Sequence, residues 1–221
     1  DTNSGQEGTM VTIKIPSPLD PATCTVTLGG IAASTVSFNT SAKTVTVAAP
    51  RAAQPGSYFI DVVVQGGGLS VQLPRGFMYL QEGVINTVQP SMGQSGTVIT
   101  LQGTNLLGGG TTIRSASLSS EVVTNSIVTV SSNSSNTFVQ LQLLNNPSSS
   151  GIVDITLIAD TGAIVRRLNA FAYVQPGRIL AVIPPSGQNG TAVTIDGSGL
   201  LQGSTLNATS ITLAGIPASI Q

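Results

Sequence analysis

The side chains that could carry chemistry in this sequence are mainly Asn, Ser and Thr, because the usual catalytic residues are scarce. Among 221 residues histidine is absent, and Cys24 is the only cysteine. A chain without histidine lacks the commonest general base and the commonest metal ligand. Serine catalysis would have to depend on Lys14, on Lys43 or on scattered acids. We therefore expect no enzymatic activity and no cofactor or metal.

Four Asn-x-Ser/Thr triplets are the clearest candidates for a chemical modification. This triplet is the acceptor of N-linked glycans in secreted proteins. An ordinary polar loop is the alternative at each position, because a chain so rich in Asn, Ser and Thr contains such triplets by chance. The four asparagines are Asn39, Asn133, Asn189 and Asn207.

Charge is unusually scarce. Charged residues make up 8% of the chain, against roughly 25% in an average soluble protein. The 8 Lys and Arg form no run and are matched by 9 Asp and Glu, so no basic stripe is available to neutralise phosphates. No apolar stretch approaches the ~20 residues that a membrane-spanning helix needs. We expect neither nucleic-acid binding nor membrane insertion in this segment.

The hydrophobic pattern predicts β-strands. Apolar and polar residues alternate in short segments rich in Val, Ile and Thr, such as residues 11–15 and 58–64. Pro-Gly, Asn-Gly and Gly-Gly-Gly punctuate these segments, which is turn chemistry. Cys24 alternates with Val26 and Leu28, which favours a buried, inert thiol over an intermolecular disulfide.

Glycine clusters and acids have structural interpretations in the same pattern. Glycines 66–68 and 108–110 are predicted to be hairpin tips, since neither cluster has the lysine and helix of a phosphate-binding loop. Asp61 and Asp154 fall in predicted strands. No D-x-D-x-D-G run is present for calcium, although a single ion at Asp160 or Asp196 is a weaker alternative.

Internal repetition organises the whole chain. Residues 84–107 recur 94 positions later as residues 178–201, and Gly-Gln-x-Gly-Thr occurs three times, at residues 5–9, 93–97 and 187–191. A Phe-x-Tyr motif at Phe77 and Tyr79 returns at Phe171 and Tyr173. These aromatic pairs are expected to close the core at the end of each domain rather than to bind a ligand.

The repeats predict three domains of about 90 residues each. Residues 1–82 form a sandwich that lacks its first strand, residues 83–176 a complete sandwich, and residues 177–221 the N-terminal half of a third. The joints, at residues 81–84 and 175–178, are too short to be flexible tethers. In the second repeat, residues 125–144 are expected to form a Ser/Asn-rich excursion. We expect the chain or a neighbour to continue beyond this segment and complete the end domains.

The motifs resemble those of the IPT/TIG domain family, an immunoglobulin-like sandwich. The similarity extends over nearly the whole chain and implies an all-β fold of tandem immunoglobulin-like units in an elongated array. In the second repeat it rests on Ile85, Pro90, Gly93, Gly96, Thr97, Ile99, Thr100, Leu101, Gly103, Leu106, Gly151, Phe171 and Tyr173.

Two functions remain open from the sequence. The first is a structural component of an extracellular fibre, stalk or surface coat that assembles with copies of itself, since short joints give stiffness and scarce charge gives little repulsion between copies. The second is a receptor or adhesin ectodomain that binds a protein or glycan. Both place the chain outside the cell or on its surface.

Overall fold

The computed structural model describes residues 3–123, 126–147, 149–201 and 210–220. Regular structure in these ranges consists of β-strands, which confirms the predicted all-β fold class. The described residues include no helix that is long and apolar enough to cross a membrane.

Unit one, residues 4–79, is a sandwich of two sheets. Their strand orders are β1-β8-β7-β3-β4 and β2-β6-β5. The alternation seen in the sequence sends Val11, Val45, Val47, Val62 and Val64 into a common core. The strands are β1 (Ser4–Gly5), β2 (Met10–Lys14), β3 (Thr25–Leu28), β4 (Ile31–Ala32), β5 (Ser34–Asn39), β6 (Thr44–Ala48), β7 (Tyr58–Gly66) and β8 (Leu69–Tyr79).

Unit two, residues 84–173, has the more complete topology. Its sheets are ordered β10-β16-β15-β12 and β13-β14-β11-β9. In chain order these strands correspond to the two facing sheets of an immunoglobulin fold, with the first strand divided between them. The strands are β9 (Val84–Gln89), β10 (Met92–Gly93), β11 (Val98–Thr104), β12 (Ile113–Ser119), β13 (Val128–Val130), β14 (Phe138–Leu143), β15 (Gly151–Ala159) and β16 (Ile164–Tyr173).

Residues 178–218 contain two further strand pairs, β17 with β18 and β19 with β20. The β17–β18 pairing repeats the β9–β11 pairing, with a register shift beside the glycine in both cases. The strands are β17 (Arg178–Ile183), β18 (Thr194–Ser198), β19 (Ile211–Leu213) and β20 (Ile216–Ala218).

The Ser/Asn-rich stretch of unit two is more structured than its composition indicates. Residues 125–144 were expected to be an excursion, yet β14 lies within them and pairs with β11 and β13. Val139, Leu141 and Leu143 are buried in the core of unit two. The sequence interpretation was wrong here because polar neighbours obscured the alternation of these three residues.

Asp61 and Asp154 each stabilise a bulge in the hairpin that leads to the last strand of their unit. The Asp61 Oδ1 atom accepts a hydrogen bond of 2.8 Å from the Arg75 amide, and Asp154 accepts one of 2.9 Å from Asn169. Arg75 and Asn169 have positive φ angles of 52° and 50°. The two acids are therefore structural. Because they occupy equivalent positions, each residue of the β7–β8 hairpin can be matched with its equivalent in the β15–β16 hairpin.

Gly103 makes room for the first strand of unit two. A Cβ atom at this position would lie 2.0 Å from the Val84 carbonyl oxygen on β9. Gly197 repeats the arrangement, since its Cβ would lie 2.2 Å from the Arg178 oxygen. At the corresponding position of unit one the chain has Ile15, which is buried in the core.

Replacing Gly103 with alanine is expected to destabilise unit two by about 1–3 kcal/mol, because β9 must move away from β11. Gly66→Ala is the matched control, since its Cβ would meet its nearest neighbour at an ordinary 3.4 Å. Urea denaturation of both variants measures the difference. Equal stabilities for the two variants would contradict this account of the close approach.

Candidate functional site at the joint between units one and two

The Gly-Gln-x-Gly-Thr motif is a self-contained turn in all three copies. In the first copy the Thr9 hydroxyl accepts a hydrogen bond of 3.0 Å from the Gln6 amide. The same bond joins Gln94 to Thr97 at 3.1 Å and Gln188 to Thr191 at 2.9 Å. These bonds explain the threonine of the motif. A Cβ atom on the first glycine, Gly5, Gly93 or Gly187, would lie 2.3, 2.4 or 2.7 Å from that threonine side chain, which explains the glycine. The glutamine side chain remains unexplained by the turn.

The first turn lies against unit two. It contacts the hairpin loop of residues 160–163, which joins β15 to β16, and we call this loop the joint hairpin. The Met10 amide donates to the Thr161 carbonyl oxygen at 2.8 Å, and the Ile164 amide donates to the Glu7 oxygen at 2.8 Å. Two units that meet through backbone hydrogen bonds have their relative orientation fixed by the main chain.

Gln6 connects three parts of this joint. Its side chain is 1% exposed. The Oε1 atom accepts a hydrogen bond of 2.8 Å from the Gly83 amide in the linker, and Nε2 donates to the Ile164 oxygen at 3.3 Å. A buried amide side chain is stable only when such partners are available. Gln6 therefore ties its own turn to the linker and to unit two.

Two glycines face each other across the joint. A Cβ atom on Gly8 would lie 2.6 Å from the Gly162 oxygen, and one on Gly162 would lie 2.8 Å from the Gly8 oxygen. Both residues also have positive φ angles, 83° and 87°, which L side chains rarely adopt. Glycine is required at both positions for conformation and for close contact.

The linker between the units is held from both sides. The Leu80 amide donates to the Gly5 oxygen at 2.7 Å, and the Gln81 amide donates to the Ser57 hydroxyl at 3.1 Å. From unit two, the Asn105 side chain donates to the Gln81 oxygen at 3.4 Å. These bonds leave the linker little freedom to act as a hinge.

Asp160 positions the joint hairpin. Its carboxylate accepts hydrogen bonds from the amide and hydroxyl of Thr111, and the hydroxyl bond lowers the pKa of this carboxyl below its usual 3.8. A lowered pKa in the folded state stabilises the hairpin at pH values above the ordinary pKa, and that contribution is lost as pH falls through the lowered value. Because Asp160 is exposed to solvent, the effect is small.

A shallow cleft of about 330 Å³ runs along the joint. Glu7, Arg51, Glu82 and Arg166 contribute two negative and two positive charges to its lining. The exposed Arg51–Glu82 pair, 3.4 Å apart, contributes little to stability. With balanced charges the cleft has no preference for an anionic or a cationic ligand. In the described ranges, no group of three or more Cys, Asp or Glu side chains is placed to hold a metal.

The three predicted glycan acceptors within the described residues are exposed, and each belongs to a different repeat. Asn39 is exposed at the end of β5, where its Oδ1 atom accepts a hydrogen bond from Ala42. Asn133 is exposed in the turn before β14, and Asn189 is exposed in the third Gly-Gln-x-Gly-Thr turn. Asn207 lies outside the described residues. Their modification stays a prediction.

The aromatic pairs and the cysteine belong to the cores. Phe77 and Tyr79 are buried with ring centroids 5.3 Å apart, and Phe171 and Tyr173 repeat this contact at 5.4 Å. Burial raises the pKa of Tyr79 to about 12, and its hydroxyl donates to the Pro50 oxygen at 2.9 Å. Cys24 is a buried free thiol whose pKa is raised by burial.

The sequence interpretation missed the joint. Glycines 108–110 were expected to be a hairpin tip, but they form a turn between β11 and β12, which belong to different sheets. A Cβ atom on Gly108 would lie 2.7 Å from the side-chain nitrogen Nε2 of Gln6. The glutamine at the same position of all three turns could have indicated a contact beyond the turn. It was not interpreted in this way because the turn itself requires only the glycines and the threonine.

No protein-family profile matches the chain, and no curated protein matches it. Among solved structures, the chain is similar to the plexin A4 extracellular region, with 18% identity and a TM-score of 0.43 over 82% of this chain and 16% of that one. It is also similar to a Bacteroides ovatus mixed-linkage glucan utilisation protein, SGBP-B, with 16% identity and a TM-score of 0.30 over 82% of this chain and 46% of that one. Domains 4–9 of the surface layer protein SbsC give 17% identity and a TM-score of 0.26 over 82% of this chain and 31% of that one. The chain thus spans less than half the length of each.

Gly8→Ala is expected to open the joint, because the new methyl group would collide with the Gly162 oxygen. Gly96→Ala is the matched control: Gly96 has a similar φ of 89° in the second turn, and its Cβ would meet no described atom within 4 Å. Both variants carry the same conformational cost, so their difference isolates the contact between units. Hydrogen exchange at the Met10 and Ile164 amides should accelerate in Gly8→Ala alone. Equal exchange rates in the two variants would refute the contact.

Proposed function

We propose that the chain is a non-enzymatic structural stretch of an extracellular fibre, stalk or surface coat. In this proposal it consists of three IPT/TIG-like units, residues 1–82, 83–176 and 177–221, and it assembles with copies of itself. In this proposal its role is mechanical, because it holds consecutive sandwiches in a fixed relative orientation.

The joint between units one and two carries this proposal. Two backbone hydrogen bonds, a buried glutamine and two facing glycines hold the units together. A flexible tether needs none of these contacts, because loosely linked domains meet through solvated loops. A joint held by direct contacts fixes the orientation of one unit relative to the next and transmits force along the chain. A fibre or stalk requires both properties.

The assignment of the units to the IPT/TIG family is supported by the local structure of the shared motifs. The Gly-x-x-Gly-Thr segment is a turn closed by its threonine in each copy. The Phe-x-Tyr pairs close the cores of units one and two. The first strand of unit two is divided between the sheets at Pro90.

Self-association is supported by the surface. A net charge of -1 with 8% charged residues produces little repulsion between copies. Large apolar side chains are exposed on units one and two, including Val36, Phe38, Ile152 and Leu168. Surfaces of this kind favour contact with other protein chains.

A receptor or adhesin ectodomain is the second candidate, and one observation favours it. Phe59 is exposed on unit one, and the Arg75 guanidinium lies 4.5 Å from the centre of its ring. An exposed aromatic ring beside a cation offers a stacking surface to a sugar or a peptide. A glycan array discriminates the two candidates, since specific binding that Phe59→Ala abolishes supports the ectodomain.

Concentrated solutions of the chain are expected to contain linear assemblies, because the exposed apolar surfaces meet little electrostatic opposition. Negative-stain microscopy and sedimentation velocity across a concentration series measure this association. Isolated, monodisperse monomers at high concentration would contradict the structural proposal.

Expression in a eukaryotic secretory host is expected to add glycans to at least two of Asn39, Asn133 and Asn189, since all three are exposed. Intact-mass spectrometry before and after enzymatic deglycosylation measures their number, and a single Asn→Gln change at an occupied site removes one glycan mass. Asn3→Gln, outside any acceptor triplet, is the control. An unchanged mass after deglycosylation would refute the prediction.

A further inference from the structure

Phe59 is an exposed aromatic ring on the outer face of unit one. Tyr58 and Ile60 pack against the core, so Phe59, which lies between them on β7, points to the opposite side of the sheet. Its side chain is 48% exposed. Ser57, two residues earlier, accepts the Gln81 amide of the linker, so the ring lies near the linker to unit two. Core packing does not account for this ring.

Arg75 lies against the same ring. Its guanidinium carbon is 4.5 Å from the ring centre. No described acidic residue forms an ion pair with Arg75, whereas Arg51 pairs with Glu82. A guanidinium above an aromatic ring can still present its planar fork of N–H donors to a carboxylate. The ring and the cation together therefore offer an apolar surface beside an anion-binding group.

The fold does not require an arginine at position 75. Its φ of 52° lies in the left-handed region, where glycine and asparagine are favoured. Asn169 has the equivalent place in unit two, with a φ of 50° and the same amide hydrogen bond to an aspartate. A less favoured residue in a strained conformation indicates that the side chain has a role of its own.

The aromatic–cation pair belongs to unit one alone among the two complete hairpins. The hairpin register places Ile152 of unit two at the position of Phe59. Asn169 takes the position of Arg75, since both amides bind the aspartate of the bulge. Both units thus keep the same backbone and differ in the side chains that face solvent. This difference is one of surface chemistry and not of folding.

Gln72 adds a hydrogen-bonding group beside the pair. Its Nε2 atom donates to Asp61 Oδ2 at 2.5 Å, and the Arg75 amide donates to Oδ1 at 2.8 Å. Both carboxylate oxygens of Asp61 are therefore engaged by donors of the protein itself. The Gln72 side chain is exposed, and its Oε1 atom is left to accept a hydrogen bond from a hydroxyl group.

We propose that Phe59, Arg75 and Gln72 form a binding site for an acidic sugar of the uronic acid type. The C–H face of the sugar ring packs on the Phe59 ring, and the sugar carboxylate accepts hydrogen bonds from the Arg75 guanidinium. A sugar hydroxyl donates to the Gln72 Oε1 atom. The ligand class follows from this chemistry, because an exposed flat ring suits an apolar sugar face and an unpaired guanidinium suits an anion.

The position of the ring favours a sugar over a peptide. Peptides that bind to sheets add to an unpaired edge or lie in an apolar groove. Phe59 is on β7, an inner strand of its sheet between β8 and β3, and its ring is on the face of that sheet. The inference rests on the second candidate function, the ectodomain, and it does not depend on self-assembly.

The test measures binding of tetragalacturonic acid to the full chain by isothermal titration calorimetry. The methyl ester of this oligosaccharide is the matched ligand, because it keeps the sugar rings and hydroxyls without the charge. The acid should bind, and the ester should bind about tenfold more weakly or less, since Arg75 loses its anionic partner. Equal affinities would overturn the assignment of Arg75 to a carboxylate.

Phe59→Ile and Arg75→Asn introduce the residues that unit two has at the same positions, so both variants should fold, which circular dichroism checks. Each is expected to weaken binding of tetragalacturonic acid by about tenfold or more. Arg114→Gln removes an exposed arginine of unit two with the same change in charge, and its affinity should be unchanged. Equal affinity in all three variants would overturn the site and leave the ectodomain candidate to another surface.

Tetraglutamate separates a sugar ligand from an acidic peptide, because it has as many side-chain carboxylates and no sugar ring. It should bind about tenfold more weakly than tetragalacturonic acid or less. Binding of equal strength would overturn the assignment to a sugar. Failure of tetragalacturonic acid to bind would overturn the site itself, and it would leave untouched the proposed self-assembly, which sedimentation velocity measures.

Discussion

The arrangement of the first two units depends on satisfying backbone polar groups where two sandwiches meet. A turn pressed against a hairpin removes amides and carbonyl oxygens from water, and each must find a partner. Met10 and Ile164 pair with carbonyl oxygens of the opposite unit, and Gln6 supplies the acceptor that the Gly83 amide needs. Leaving one such amide unpaired costs about 1–3 kcal/mol, so the joint is favoured in one geometry.

The same constraint explains why the three turns differ in role despite their shared sequence. Gln6 is buried between units, whereas Gln188 is exposed and Gln94 is half-buried. Gly8 touches Gly162, while Gly96 and Gly190 face open space within the described structure. A turn that is stable by itself thus becomes a joint only where another unit presents its hairpin.

Much of the fold followed from the sequence because its signals are local. Alternation predicted strands such as β2 and β7, and repetition predicted that residues 178–201 resemble residues 84–107, which pair in the same way in the structure. The joint is not local: Gln6 and Ile164 are 158 positions apart, and nothing near Gln6 reveals its partner. Strand β14 was missed because serine and asparagine surround its three buried residues.

A distance measurement between units one and two tests the central claim most directly. Spin labels at Ser37→Cys and Ser117→Cys, with Cys24→Ala to remove the native thiol, report the distribution of distances between the units by pulsed electron resonance. One narrow distribution is predicted, which Gln6→Ala broadens and Gln188→Ala leaves unchanged. A broad distribution in the parent protein, or one that Gln6→Ala does not alter, would contradict a joint locked by this glutamine.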